Sequence, residues 1–185
     1  TYSEGDTDFS AQLTSVKSKG PQAIFLPGYY TEVGLVARQA KKLGLNVPLM
    51  GGDGWDSPKL IEIGGPDLNG SYFSNHYSVD DPAPAVRAFV TAYERAYGAP
   101  PDSIAALSYD AARVLFDAIR RAGSTDGKRL RDAMAETQGF AGVTGTITMD
   151  ADRNPVKPAV VLRVEGGRFR LAATIAPETP TSEAP

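Results

Sequence analysis

Two glycine-bearing stretches carry the residues best suited to chemistry: Gly28-Tyr29-Tyr30-Thr31-Glu32 and Gly51-Gly52-Asp53-Gly54-Trp55-Asp56. Glycine lets backbone come close to a small ligand. Tyr29 brings a ring and a hydroxyl, Asp53 a formal negative charge, and Trp55 and Tyr30 apolar surface for a rim. That set suits a small cation with an apolar tail. Isolated aromatics more often cover a sheet edge than hold a ligand; the clustering of these residues at the ends of two consecutive strands is what favours a site.

Other chemistries fit less well. Gly52-Asp53-Gly54 follows a strand, as a dinucleotide fingerprint does, but Ser57 replaces the third glycine and Pro58 opens the next helix. Asp53 and Asp56 form a conceivable hydrolytic pair, yet two acids in a glycine-rich loop are more often a cap and a turn residue. No G-x-S-x-G elbow is present. His76 is the sole histidine and there is no cysteine, so a metal site lacks partners and His76 reads as a strand-end surface or packing residue. Asp150-Ala151-Asp152-Arg153-Asn154 begins like a calcium loop, but Pro155 stands where glycine is needed and Val161 where glutamate is needed, so it reads as a turn. No catalytic residue, metal or cofactor is expected, and the protein is read as non-enzymatic.

Composition narrows the partners. The chain has 185 residues, 42% hydrophobic and 22% charged, enough for one compact domain or two small lobes. With 19 basic against 22 acidic residues and no basic block, nucleic acid is discounted. No apolar run approaches the roughly 20 residues of a membrane span.

The elements that must position the two stretches follow from periodicity. Phe9, Leu13 and Val16 share a helical face behind Asp8 as a cap, with Gly20 as a stop. Residues 23–26 read as a strand buried on both faces, and Thr31 caps a helix whose Val33, Val36, Ala37 and Ala40 face one way. A strand over 47–50 follows at once, so the unit is a crossover and the sheet parallel. Ser57 and Pro58 start a short helix, and a strand over 71–77 comes next. Three helices follow: one with Val86, Phe89, Val90 and Tyr93, one with Leu107, Ala111, Val114 and Leu115, and a shorter one with Leu130 and Met134. A strand over 144–149 precedes a hairpin of 160–164 with 169–173, turned at Gly166-Gly167. The fold class is α/β, a parallel doubly wound sheet with extra helices and a C-terminal hairpin. In such sheets ligands sit at strand C-terminal ends. The first element is a helix without a strand before it, which reads as a chain cut from something larger.

At this point a run of residues resembles a known family: Phe25-Leu26-Pro27-Gly28-Tyr29-Tyr30-Thr31-Glu32, Ala37-Arg38-Gln39-Ala40, and Leu49-Met50-Gly51-Gly52-Asp53-Gly54-Trp55. Tyr72-Phe73, His76-Tyr77, Tyr93 to Gly98, Ser108-Tyr109-Asp110-Ala111-Ala112 and Phe140 to Gly145 extend the likeness over nearly the whole chain. The run is similar to the leucine/isoleucine/valine-binding proteins that serve ABC importers, in their C-terminal half.

The resemblance implies two α/β lobes joined by hinge strands that close on an amino acid in the cleft between them. Residues 1–79 would be part of the second lobe, 80–150 the crossover and helices of the first lobe, 151–176 the returning hairpin, and 177–185 a disordered tail. By motif position Tyr29 meets the ligand and Asp53 its α-ammonium; the family has glutamate there, so the charge is kept and the reach shortened. Tyr109 matches a residue near the hinge side of the pocket, where a helix-packing role is an equal reading. The groups for the ligand's carboxylate lie in the first lobe, upstream of Thr1, so weak or no binding is expected of this chain alone. An importer permease, a periplasmic or exported, membrane-anchored location, and association or swapping between chains through the helix around 86–93 also follow. A ligand-sensing receptor domain of the same fold, and more remotely a nucleotide-dependent enzyme, are the alternatives.

Overall fold

The elements run α1 (Ser10–Lys17), β1 (Ile24–Phe25), α2 (Tyr30–Lys42), β2 (Leu49–Gly51), α3 (Pro58–Gly64), β3 (Tyr72–Asn75), α4 (Pro84–Tyr97), α5 (Ser103–Ala122), α6 (Gly127–Ala135), β4 (Phe140–Gly142), β5 (Gly145–Met149), β6 (Pro155–Val156), β7 (Ala159–Glu165) and β8 (Arg168–Ile175). The structure is a computed structural model and describes residues 1–177. Most of the expected tail therefore lies outside the described residues. Contacts divide the chain into two units: Thr1–Ser78 with Val160–Ala173, and Val79–Ala159 with the stretch from Thr174.

The first unit holds a five-stranded sheet in the order β1-β2-β3-β7-β8. β1, β2 and β3 are parallel, and β7 joins β3 antiparallel with Tyr72 opposite Arg163 and Asn75 opposite Val160. The fold is thus mixed α/β. Period-two alternation sorts the side chains. Leu49, Phe73, Val160 and Leu162 face α2 and α3 and form one core with Val33, Ala37, Trp55, Leu60, Leu68 and Val164. Phe9 and Leu13 of the first segment pack on Val36, Ala40 and Leu45 in a second cluster.

The opposite face carries Phe25, Met50, Tyr72 and Arg163 in register. Phe25 is 69% exposed, which corrects the expectation that β1 is buried on both faces. β1 is an edge strand, and within this unit the helices of the described residues pack on the other face only.

Local signals explain where helices begin and end. Ser57 accepts from the Lys59 amide at 3.3 Å with Pro58 in the first turn, as expected. α2 instead starts at Tyr30, one residue before the expected Thr31 cap, with extended Tyr29 before it and no side-chain cap. Its first-turn Glu32 and last-turn Lys41 and Lys42 complement the helix dipole. Gly44, at φ +74°, takes the left-handed position that ends it. The β7–β8 turn needs positive φ at both central residues, which Gly166 and Gly167 supply at +58° and +72°.

The second unit packs α4, α5 and α6 with the small sheet β4-β5-β6. α5 buries Ser103, Ala106, Asp110, Val114 and Ala118, so Ala111 and Leu115, expected on the inner face, lie outside. The choice of face follows Asp110, which is 2% exposed and accepts from the Val143 and Thr144 amides, each at 2.8 Å, and from the Thr144 hydroxyl at 2.9 Å. A Cβ on Gly142 would stand 2.6 Å from Asp110 Oδ2, so glycine is required for this approach. The Asp150–Asn154 stretch is a turn: the Asn154 amide, with help from Asp152 and Arg153, holds the Asp150 carboxyl below its ordinary pKa.

Lys157 is half-buried, and its Nζ is shielded from solvent without a hydrogen-bond partner. Burial pushes its pKa down, and Asp110 opposes the shift in part. In the unfolded chain the amine regains its ordinary, higher value. The cost of holding it charged is therefore present at neutral pH and is relieved as pH rises from the folded towards the unfolded value. Lys157→Met is expected to stabilise the fold at pH 7 by about 0.5–1 kcal/mol, allowing for the residue's partial solvent screening, with a smaller gain at pH 10. Urea denaturation at the two pH values measures both.

Candidate functional site

β1 and β2 end side by side because they are adjacent and parallel, and the loops that follow them meet. The Leu26 amide donates to Met50 O at 2.7 Å, extending the pairing past the strand ends. A Cβ placed on Gly54 would lie 2.8 Å from Gly28 O and 3.1 Å from Tyr29 Cδ1, so the two loops touch through a residue with no side chain. Beneath Gly28, the Tyr2 hydroxyl donates to Pro27 O at 2.8 Å. Burial, aided by Glu32, pushes the Tyr2 pKa up and keeps it a donor.

The candidate residues fall in different places. Tyr29 is 69% exposed on this rim, and the Asp53 side chain is 64% exposed beside it, in a single 3₁₀ turn over Asp53–Trp55. Tyr30 is half-buried, opens α2 and packs against the core. Trp55 does not line the rim. It is 0% exposed, its ring 5.9 Å from that of Phe73, and its Nε1 donates to Leu26 O at 3.2 Å. The cause is Gly51: a Cβ there would fall 2.2 Å from Trp55 Cε2, so the absent side chain makes the slot that the indole fills. Trp55 buttresses the rim from below instead of forming its surface.

Tyr109 belongs to the helical unit, with its ring 5.0 Å from that of Phe89 and the Arg113 guanidinium 5.5 Å from its centroid. That is a helix-packing environment. His76, expected only as a strand-end surface or packing residue, lies just beyond β3 and places Nε2 at 3.3 Å from Asp53 Oδ2. Its position was readable in principle, because β3 is the next parallel strand after β2 and His76 follows its C-terminal end. Among the described residues no group of three or more His, Cys, Asp or Glu side chains is placed to hold a metal ion. Chemically the rim offers the accessible Asp53 carboxylate, the Tyr29 phenol and ring surface, and the His76 imidazole.

A family described as periplasmic binding protein matches residues 1–168. The chain belongs to the periplasmic binding protein family. Among its relatives, the Leu/Ile/Val-binding protein homolog 1 of Brucella suis is 32% identical over 163 residues, 85% of this chain and 42% of that protein. The leucine-binding protein LivK of Thermotoga maritima is 41% identical with a TM-score of 0.90, covering 95% of this chain and 51% of that one. LivJ of Streptococcus pneumoniae, a branched-chain amino acid transporter substrate-binding protein solved with isoleucine, is 35% identical with a TM-score of 0.81, covering 95% of this chain and 50% of that one. A solute-binding protein of an ABC transporter from R. palustris, solved with benzoate, is 27% identical with a TM-score of 0.81, covering 96% of this chain and 49% of that one. This periplasmic binding protein chain thus spans less than half the length of the curated relative and about half of the solved ones. Its family is one of solute binding.

Proposed function

We propose that the protein binds a branched-chain or related amino acid for delivery to an ABC importer permease, outside the cytoplasmic membrane. The observation that carries this is the solvent-exposed Asp53 carboxylate on a rim with Tyr29, where two parallel strands end and their loops touch at Gly54. A carboxylate there receives the ligand's ammonium in a charge-assisted hydrogen bond, and the Tyr29 ring covers the aliphatic part. It also disfavours a ligand whose only charge is negative. The rim supplies the partner for one charge; the ligand's carboxylate is held by groups in the remainder of the full-length protein, and closure over the ligand strengthens both contacts by excluding water. The names of the relatives support this ligand class.

The test is calorimetric titration of the full-length protein with leucine, isoleucine, valine, threonine, alanine and benzoate. Saturable binding of one or more amino acids with none of benzoate is the expected outcome, and benzoate binding without amino-acid binding would overturn the reading. Gly54→Ala puts a Cβ 2.8 Å from Gly28 O and 3.1 Å from Tyr29 Cδ1, so the first loop must shift, and in the same titration it should weaken amino-acid binding roughly tenfold, since a site loosened by a fraction of an ångström loses most of its positioning.

A further inference from the structure

We propose that His76 is a positioning residue for the amino-acid site: it engages one oxygen of the Asp53 carboxylate so that the other faces the incoming ammonium. The imidazole's charge state then governs how tightly the ligand is held. This rests on the reading of Asp53 as the ammonium partner.

Asp53 sits in a single turn between Gly52 and Gly54, a backbone with little to fix a side chain. His76 is rooted more firmly. Its amide donates to Asn75 Oδ1 at 2.8 Å, and Asn75 is 2% exposed on β3, paired across to Val160. The imidazole therefore reaches from the strand to the turn, Nε2 standing 3.3 Å from Asp53 Oδ2. A carboxylate offers two oxygens, so engaging Oδ2 leaves Oδ1 for a second donor and limits the carboxylate's rotation. This converts a freely swinging charge into one aimed at the rim.

The same contact couples affinity to pH. With a neutral imidazole the 3.3 Å contact is not an ion pair and Asp53 keeps its full negative charge. A protonated one neutralises that charge and repels the ammonium of a bound amino acid, while histidine is the side chain that changes charge near neutrality. Both side chains are open to solvent, 40% exposed for His76 and 64% for Asp53. The titratable residues on these elements are Asp53 and Asp56 in the turn, Tyr29 in the first loop, and Tyr72 and Tyr77 on β3 and its extension. β7 meets the end of β3 with Val160 and Val161, and its Arg163 is directed to Glu165 at 3.6 Å and the Tyr72 ring at 5.9 Å.

The experiment is titration of the full-length protein with leucine at pH 5.5, 6.5 and 7.5, comparing the unaltered protein with His76→Ala, His76→Gln and Asp53→Asn. Affinity of the unaltered protein should fall roughly tenfold from pH 7.5 to 5.5, and His76→Ala should lose roughly tenfold at pH 7.5. His76→Gln, whose amide still donates to the carboxylate, should recover most of that loss and give a flat pH profile. A His76→Gln profile as steep as that of the unaltered protein, or a His76→Ala protein that binds as tightly at pH 7.5, overturns the inference. Asp53→Asn separates the two levels: unchanged affinity there sinks the ammonium reading itself, whereas weakened affinity with unmoved His76 variants sinks only the role of His76. His76 is the one histidine of the 185 residues, so its ring signals identify themselves in NMR spectra of this chain. Asp53→Asn should displace them without any ligand, and their failure to move would deny the contact.

Discussion

Asp53→Ala is expected to weaken amino-acid binding by the full-length protein by about 2–4 kcal/mol, roughly 30- to 1,000-fold, because truncating one partner of a desolvated charge pair leaves the other charge buried without compensation. The carboxylate is solvent-exposed on the open rim, so removing it costs the unliganded fold little. The loss therefore belongs to binding, and a thermal melt of the variant should match that of the unaltered protein. Asp53→Glu keeps the charge on a longer arm and should retain part of the affinity. Titration calorimetry with leucine reads all three proteins, and an alanine variant that binds as before would remove Asp53 from the site.

Trp55→Ala should produce the largest loss of stability, about 3–5 kcal/mol, as expected when a fully buried aromatic is truncated in a core that cannot collapse. The indole is 0% exposed, lies over Gly51 and sits against Phe73, which in turn meets Phe169 edge-on at 5.0 Å. Its loss opens a cavity beneath the rim and leaves Leu26 O without the indole donor. Trp55→Phe keeps much of the ring and forfeits the hydrogen bond, so a cost of about 1–2 kcal/mol separates the two contributions. Urea denaturation followed by far-UV circular dichroism measures both variants. A Trp55→Ala protein within 1 kcal/mol of the original would show that the indole is no buttress.

Much of the frame was legible because short-range signals and the global fold agree. The Val33, Val36, Ala37 and Ala40 face of α2, the Ser57-Pro58 helix start and the Gly166-Gly167 turn each follow from local chemistry and recur in the structure. The strand-helix-strand order also implied the parallel pairing that brings Tyr29 and Asp53 to one edge. What escaped depends on space between distant residues. Trp55 looked like rim surface because nothing local says that Gly51 leaves a slot for its ring. α5 carries Ile104, Leu107, Val114, Leu115, Phe116 and Ile119 around its circumference, so apolar spacing alone offered more than one inner face. The buried Asp110 and its three donors settle which one is used. An apolar run does not reveal how many layers flank it, which hides the exposure of Phe25, and nothing local to His76 shows a partner that the turn after the neighbouring strand supplies.

The antiparallel pairing of β3 with β7 has a consequence for how the gene can be cut. Asn75 stands opposite Val160, so the two ends between which the helical segment leaves and returns are neighbours across one ladder. In connectivity Val79–Ala159 is an insertion at the tip of a β-hairpin, the kind of position where chains accept added domains. A short glycine-containing turn in its place would join Ser78 directly to Val160 and keep all five strands of the sheet in their order. The rim with Tyr29, Asp53 and His76 is thus carried by a module whose two pieces a protein engineer can splice.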